Sequence, residues 1–216
     1  MPAVSFETER LTLRPFRKND LNDIHEQVYS DPDVCRYYCG STRTKAKTKA
    51  WLHFRQTEAE YSDFHAWAVE LKETGRVIGL VRLGPYINDF ACWPKHDDPP
   101  FNEVEVELSF AFGQGYWGQG YALEACRAII DHTFRIMRLP RLVSGVRAAN
   151  LRSVRFHEKL GYRVMKNLLD EDFKAVLENP EPRRSATTES ADRAPTSVAT
   201  PPLRCAGRRR EIRRST

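Results

Sequence analysis

The chain has 216 residues and a formal net charge of +5 at neutral pH. That length suits one enzyme-sized domain with an appendage. No apolar run approaches the roughly 18 residues that a bilayer crossing needs, and the N-terminus lacks the apolar core of a secretory signal, so we expect neither a membrane span nor secretion. The five cysteines are scattered, which favours reduced thiols, a cytoplasmic location and no metal site.

The excess positive charge lies at the C-terminal end. From Lys174 onward there are ten basic and five acidic residues, whereas the part before it is balanced. Residues 178–216 are rich in Pro, Ser, Thr and Arg with few large apolar side chains, so we predict that they are disordered. Their ending, RRREIRR, could contact nucleic acid or an acidic partner, but a solvated run is the favoured interpretation.

The hydrophobic pattern before this tail predicts a mixed α/β domain over residues 8–177. Asp20 is predicted to cap a helix that ends near Tyr29. The last strand either lies near residues 173–177 or is missing, which would expose a sheet edge. The other predicted elements, in chain order, are strand 11–15, helix 44–61, strands 65–71, 76–83 and 104–112, helix 122–134, strand 142–146, helix 151–160 and a strand from residue 162.

A long connection interrupts this pattern at residues 84–102. It contains four prolines and the polar centre Lys95-His96-Asp97-Asp98. Long connections in compact domains are either functional or irregular, and this one enters the strand 104–112, so we predict a lid on the substrate side. The cluster His96-Asp97-Asp98 is interpreted as a solvated loop in preference to a metal site.

A cluster of glycines joins strand 104–112 to the following helix. Gly113, Gly115, Gly118 and Gly120 lie within eight residues and are followed directly by a helical pattern. A loop with so little side-chain bulk can turn several N–H groups toward one anion, and the helix dipole adds its positive end. The spacing is neither that of a dinucleotide loop nor that of a P-loop. The glycines alone predict either a phosphate-holding loop or a plain turn.

A second sequence block, after the helix, favours the phosphate-holding loop over the plain turn. Asn150 and Ser153 precede the sequence Glu158-Lys159-Leu160-Gly161-Tyr162, and the first block reads Tyr116-Trp117-Gly118-Gln119-Gly120-Tyr121-Ala122 with Glu107 before it and Glu124-Ala125 after it. In this order the two blocks resemble the GNAT superfamily of N-acetyltransferases, most closely its RimJ/RimL-like branch. The opening Glu9-Arg10-Leu11 is similar to that branch as well.

The resemblance implies the GNAT fold, a central mixed twisted sheet flanked by helices, with acetyl-coenzyme A as co-substrate. It implies a primary amine as acceptor, on a protein N-terminus or a small molecule, which attacks the thioester directly in a ternary complex. A monomer and a homodimer both remain open. The residues expected to bind the cofactor are Phe110, Phe112, Gly115, Gly118, Gln119, Gly120, Tyr121, Ala122, Asn150 and Ser153.

The same resemblance implies the catalytic residues. Glu107 is expected to be the general base, with a solvated or ion-paired glutamate as the alternative, and Glu105 lies on the same strand face. The N–H near Phe112 is the expected oxyanion donor. His157 is a candidate general acid, with a surface histidine as the alternative and Ser153 or water as the substitute. Asn150 could equally be a helix N-cap.

Two other function classes remain open at this point. A catalytically degenerate protein could bind acetyl-coenzyme A without turning it over, which a missing last strand would favour. The basic tail could instead make this a nucleic-acid-associated protein. The acetyltransferase hypothesis leads because two long motifs support it.

Overall fold

A sheet of eight strands forms the framework in the residues that the structure, a computed structural model, describes, namely 4–86, 104–166 and 171–181. Most of the predicted lid and nearly all of the predicted disordered tail lie outside these residues, so both stay predictions. The spatial order of the strands is β1-β2-β3-β4-β5-β6-β8-β7. The strands are β1 (Phe6–Glu7), β2 (Leu11–Pro15), β3 (Ala66–Leu71), β4 (Arg76–Tyr86), β5 (Glu105–Phe112), β6 (Arg141–Val146), β7 (Arg163–Lys166) and β8 (Phe173–Glu178).

Helices cover both faces of the sheet, as the mixed α/β prediction requires. Side chains of α4 and α5 join one apolar core, and those of the N-terminal helices join the other. Because side chains alternate along a strand, β5 contributes Phe112 to the first core and Ala111 to the second. The helices are α1 (Leu21–Ile24), α2 (Pro32–Tyr38), α3 (Lys45–Tyr61), α4 (Tyr121–Arg135) and α5 (Leu151–Lys159), with short 3₁₀ turns at Lys18–Asp20 and Gln114–Tyr116 and a π-helical turn at His25–Tyr29 after α1.

The last strand is present. β8 pairs antiparallel with β6 on one side and with β7 on the other, so it fills the position that the sheet would otherwise lack. Ala175 and Val176 of β8 are buried. The alternative of a missing strand is therefore wrong. A missing strand was the feature that would have favoured a catalytically degenerate protein, so the sheet gives that function class no support.

Asp20 occupies the predicted N-cap position of α1, but its side chain accepts no hydrogen bond from the N–H groups of that helix. Its carboxylate accepts instead from the backbone N–H of Arg17 and from the guanidinium of Arg14. Asp20 is almost fully buried, and its ion pair with Arg14 neutralises the charge that burial would otherwise leave uncompensated. The Asp20 side chain thus forms an ion pair with Arg14 of β2 in place of the local cap bond that the sequence predicts.

Two short elements were not predicted from the sequence. Helix α2 begins at Pro32 with Asp31 as its N-cap, whose side chain accepts from the N–H groups of Asp33 and Val34. Strand β1 has two residues and exists only through its pairing with β2. Elements this short carry too few residues to show a period.

Candidate active site

The sheet opens between its two parallel strands. β5 and β6 pair at a single position, Glu107 with Val143, so the part of β5 beyond Glu107 has no ladder with β6. Gly113 donates its N–H to the carbonyl of Ile78 in β4. Because such bonds alternate along an antiparallel pair, the N–H groups of Phe110 and Phe112 point away from β4 into the opening. The gap therefore presents main-chain donors along one wall.

Two side chains bind the carbonyl groups at the ends of this wall. Ser144 of β6 donates its hydroxyl to the carbonyl of Leu108 (Oγ–O, 2.6 Å), and the indole of Trp117 donates to the carbonyl of Phe112 (Nε1–O, 2.7 Å). The side chain of Phe112 is buried, and that of Phe110 packs against Phe156 of α5 with ring centroids 4.5 Å apart. The two phenylalanines thus serve the core with their rings and face the gap only with their backbone.

The glycine loop follows directly at the end of β5. Gly118 and Gly120 have φ of +78° and +85°, a region that favours glycine, and Gly120 is the residue before α4. Among the described residues, the N–H groups of Gly118, Gln119 and Gly120 have no hydrogen-bond partner. The first-turn N–H groups of α4 add to these, together with the positive end of the helix dipole. This loop has the donors and the shape to hold a diphosphate.

Arg10 of the segment before β2 braces the loop. Its guanidinium donates to the carbonyl of Gln119 (3.0 Å), pairs with Glu124 of α4 (2.8 Å) and lies 4.4 Å from the ring centre of Tyr121. Gln119 also donates its side-chain amide to the carbonyl of Gly115 (2.7 Å). Arg10 and Glu124 belong to different sequence motifs, and their opposite charges are the only sign in the sequence that they form a pair.

The second motif forms the opposite side of the gap. The side chain of Asn150 accepts from the N–H of Ser153 (3.1 Å), so the N-cap interpretation is confirmed, and its amide nitrogen is still able to donate. Arg152 lies over the ring of Trp117, 4.6 Å from its centre. That contact joins the start of α5 to the glycine loop.

His157 is buried, so the alternative of a surface histidine is wrong. Its Nδ1 lies 2.8 Å from the carbonyl oxygen of Ser153, which can only accept, so Nδ1 carries the proton. The Nε2 atom is buried without a hydrogen-bond partner. Burial also lowers the pKa of His157. A neutral ring whose N–H is already engaged argues against the predicted role of general acid.

The burial of His157 predicts an acid-sensitive fold. Its pKa lies below the ordinary 6.5, so the unfolded chain takes up a proton before the native chain does, and the free energy of unfolding falls as the pH drops below about 6.5. His157→Gln removes a slope of about 1.4 kcal/mol per pH unit from urea unfolding curves in that window. The exposed His53 supplies the control, His53→Gln. An unchanged slope in His157→Gln would contradict this assignment.

Glu107 stands where the two parallel strands separate. Its side chain is largely buried, and burial raises its pKa, while the backbone amide of Gly145 and the charges of Lys174 and Arg82 act in the opposite direction. Within the described part of the chain no ion pair engages it. A largely buried carboxylate that no direct ion pair engages, and whose pKa burial raises, has the chemistry of a proton acceptor.

The neighbouring carboxylate has a different role. Glu105 is buried and forms an ion pair with Arg141 of β6, so it ties the two parallel strands together before they diverge.

Near Glu107 the structure also places residues to which the sequence assigned no role at the site. Burial raises the pKa of Tyr162, which lies near Glu107, and the ammonium group of Lys174 donates to the hydroxyl of Tyr86 (2.6 Å).

A family model described as an acetyltransferase (GNAT) domain matches residues 10–163, well over half of the chain. The chain belongs to the GNAT acetyltransferase family. This GNAT domain is 27% identical over 161 residues to the uncharacterized protein YkkB of Bacillus subtilis, covering 74% of this chain and 86% of that one.

Solved structures of the same fold agree. An acetyltransferase of the GNAT family from Bacillus anthracis superposes with a TM-score of 0.65 at 22% identity, covering 82% of this chain and all of that one. A ribosomal-protein-S5-alanine acetyltransferase from Vibrio fischeri gives a TM-score of 0.61 at 19% identity, covering 82% of this chain and 98% of that one. At these identities the likeness establishes the fold of this GNAT domain.

Two kinds of feature are absent from the described ranges. None of the helices there combines the length and the apolar character that a bilayer crossing needs. No group of three or more His, Cys, Asp or Glu side chains there is arranged to hold a metal ion. The cluster His96-Asp97-Asp98 lies outside these residues.

Proposed function

We propose that this protein transfers an acetyl group from acetyl-coenzyme A to a primary amine, on a protein N-terminus or a small molecule, in the manner of the RimJ/RimL-like branch. One observation carries the proposal: the loop 115–122, in which the N–H groups of Gly118, Gln119 and Gly120 have no partner among the described residues, lies at the mouth of the gap between β5 and β6. An anion held at the loop would place a long thioester arm along that gap. The unpaired thiols of Cys35, Cys39 and Cys126 fit the cytoplasmic location that we propose with it.

Each predicted cofactor residue has a stated task in this proposal. Backbone N–H groups of Gly118, Gln119, Gly120, Tyr121 and Ala122 bind the diphosphate, and Gly115 lets the loop turn. The backbone of Phe110 and Phe112 pairs with the pantetheine arm as a further strand would, and the amide of Asn150 donates to it from the other side. The N–H of Phe112 stabilises the charge that develops on the thioester oxygen.

Glu107 accepts the proton of the acceptor amine, directly or through a water molecule. The ammonium group must lose a proton before its nitrogen can attack, and a carboxylate whose pKa is raised accepts that proton more readily than an ordinary one. Acetyl transfer then forms the amide bond as the carbon–sulfur bond breaks. The leaving thiolate takes up a proton as the bond breaks. We assign Ser153 or a water molecule as the donor of that proton, because the N–H of His157 already donates to the carbonyl oxygen of Ser153.

The loop assignment is tested by Gly118→Ala. The methyl group forces an unfavourable conformation at φ of +78° and redirects the N–H groups, so we expect the affinity for coenzyme A to fall at least about tenfold in calorimetry. Gly75→Ala is the matched control, because Gly75 also has a positive φ (+68°) with open space around it, in the turn between β3 and β4. It carries the same backbone penalty and leaves coenzyme A binding unchanged.

Two outcomes would refute the loop assignment. Folded wild-type protein that shows no heat of binding with coenzyme A or acetyl-coenzyme A would remove its basis. Equal affinity losses in Gly118→Ala and Gly75→Ala would show that the effect comes from general destabilisation. Release of thiol from acetyl-coenzyme A against a panel of amines then tests the transfer itself.

A further inference from the structure

Arg82 of β4 directs its guanidinium toward the proposed base. In the ladder between β4 and β5, Gly84 lies opposite Glu107 and Arg82 lies opposite Ser109, so these residues share one sheet face. The Arg82 guanidinium lies over Gly84. A Cβ atom added to Gly84 would lie 2.5 Å from the guanidinium carbon, Cζ, of Arg82. Gly84 therefore leaves the space that brings the guanidinium beside Glu107.

The Arg82 guanidinium has no partner in the part of the chain that the structure describes. No hydrogen bond or ion pair engages any of its nitrogen atoms, and its Nε is completely buried. Four other buried or partly buried arginines pair with a carboxylate, and a fifth, Arg43, lies over the ring of Tyr29; the pairs are Arg10 with Glu124, Arg14 with Asp20 and Glu70, Arg55 with Glu58, and Arg141 with Glu105. A guanidinium is a planar group with five N–H donors. When it is partly buried and has no partner, it is suited to bind a carboxylate or a phosphate.

The charges around Glu107 make a simple ammonium ion a poor fit. Both Arg82 and Lys174 lie close enough to act on the Glu107 carboxyl. A guanidinium on the same sheet face as the base repels an acceptor that carries only a positive charge. An acceptor with an additional anionic group satisfies the guanidinium and presents its amine to Glu107 in one pose.

Tyr38 supplies a second donor near the guanidinium. It is the last residue of α2, and the Arg82 charge acts on its hydroxyl. Burial raises the pKa of Tyr38 to about 12, so the phenol keeps its proton near neutral pH.

We infer that Arg82 binds an anionic group of the acceptor, so that the preferred substrate is an amine with a carboxylate or phosphate a few bonds from its nitrogen. The inference deepens the proposed function and rests on its assignment of Glu107 as base. It defines Arg82 as a specificity-determining residue. The remaining reaction is unchanged, because the anionic group neither gains nor loses a bond.

The test uses acceptor pairs that differ in one charge. β-Alanine is compared with β-alaninamide and O-phosphoethanolamine with ethanolamine, by thiol release and by calorimetry in saturating coenzyme A. We expect the wild type to favour one anionic member by about tenfold or more in kcat/KM, and Arg82→Gln to remove that preference by affecting the anionic member alone. The two pairs distinguish a carboxylate from a phosphate. Arg76→Gln, at the exposed far end of β4, is the control.

The outcomes separate this inference from the proposed function. If no amine is acetylated but an anionic amine binds beside coenzyme A and Arg82→Gln abolishes that binding, the inference stands and the transfer reaction fails. If acetylation occurs with no preference in either pair, the transfer stands and the inference is overturned. Arg82→Gln that weakens neutral and anionic acceptors equally, with a lower melting temperature than Arg76→Gln, would show a purely structural role and overturn it too.

Discussion

We expect Glu107→Gln to lower kcat/KM by about 10²- to 10⁴-fold while leaving the affinity for coenzyme A within about twofold. Glutamine has nearly the same shape as glutamate but cannot accept the proton of the amine. The side chain stands where β5 and β6 separate, away from the loop 115–122, so cofactor binding does not depend on it. Steady-state thiol release and calorimetry measure the two quantities separately.

The pH profile identifies Glu107 more specifically than the rate does. Its pKa is raised by burial, so as the pH falls through that raised value the carboxylate becomes protonated and kcat/KM of the wild type falls. This acidic limb disappears in Glu107→Gln. Glu105→Gln is the contrasting variant: it breaks the ion pair with Arg141 and lowers stability, but it keeps the limb. Near-normal activity in Glu107→Gln, or loss of the limb in Glu105→Gln, would transfer the role elsewhere.

Arg14→Met should cost about 3–5 kcal/mol of the free energy of unfolding. Arg14 is nearly fully buried, and its guanidinium makes paired contacts with Asp20 (2.8 and 2.9 Å) and with Glu70 (2.8 and 2.6 Å). Methionine fills much of the same volume but leaves the Asp20 carboxylate buried without a counter-ion. Urea unfolding followed by circular dichroism measures the loss.

A second substitution separates the charge effect from packing. In Arg14→Met with Asp20→Leu, part of the lost stability returns, because the more deeply buried of the two orphaned carboxylates is removed while that of Glu70 still reaches water. Arg76→Gln breaks only the exposed pairs with Asp23 and Glu26 and should cost no more than about 1 kcal/mol. If the double variant is no more stable than Arg14→Met, the loss comes from packing and the ion-pair argument is wrong.

Features that depend on neighbours in the chain could be predicted from the sequence. The glycines of the loop, the strand before them and the Asn150 cap all arise within a few residues, where φ preferences and hydrogen bonding are local. The burial of His157 was available too: it lies three residues after Val154 and three before Leu160, on the apolar side of α5. This spacing predicts a buried histidine, whereas the motif position indicated a candidate general acid or a surface histidine.

Features that join distant residues could not be predicted in this way. Arg10 and Glu124 are 114 residues apart, Ser144 and Leu108 are 36 apart, and Arg82 reaches Glu107 only because β4 and β5 pair in one register. Asp20 shows the cost of local reasoning, since a residue type that commonly caps helices instead neutralises a buried arginine.

The amino-acid sequence by itself determined the family, the order of most helices and strands, and the loop that presents free N–H groups, because each depends on local backbone preferences and residue spacing. The tertiary structure alone decided where the sheet opens, which glutamate makes no direct ion pair and which arginine lies on its side of the sheet. Those properties arise from strand register and from the removal of charged groups from water, and both exist only once distant segments have packed together.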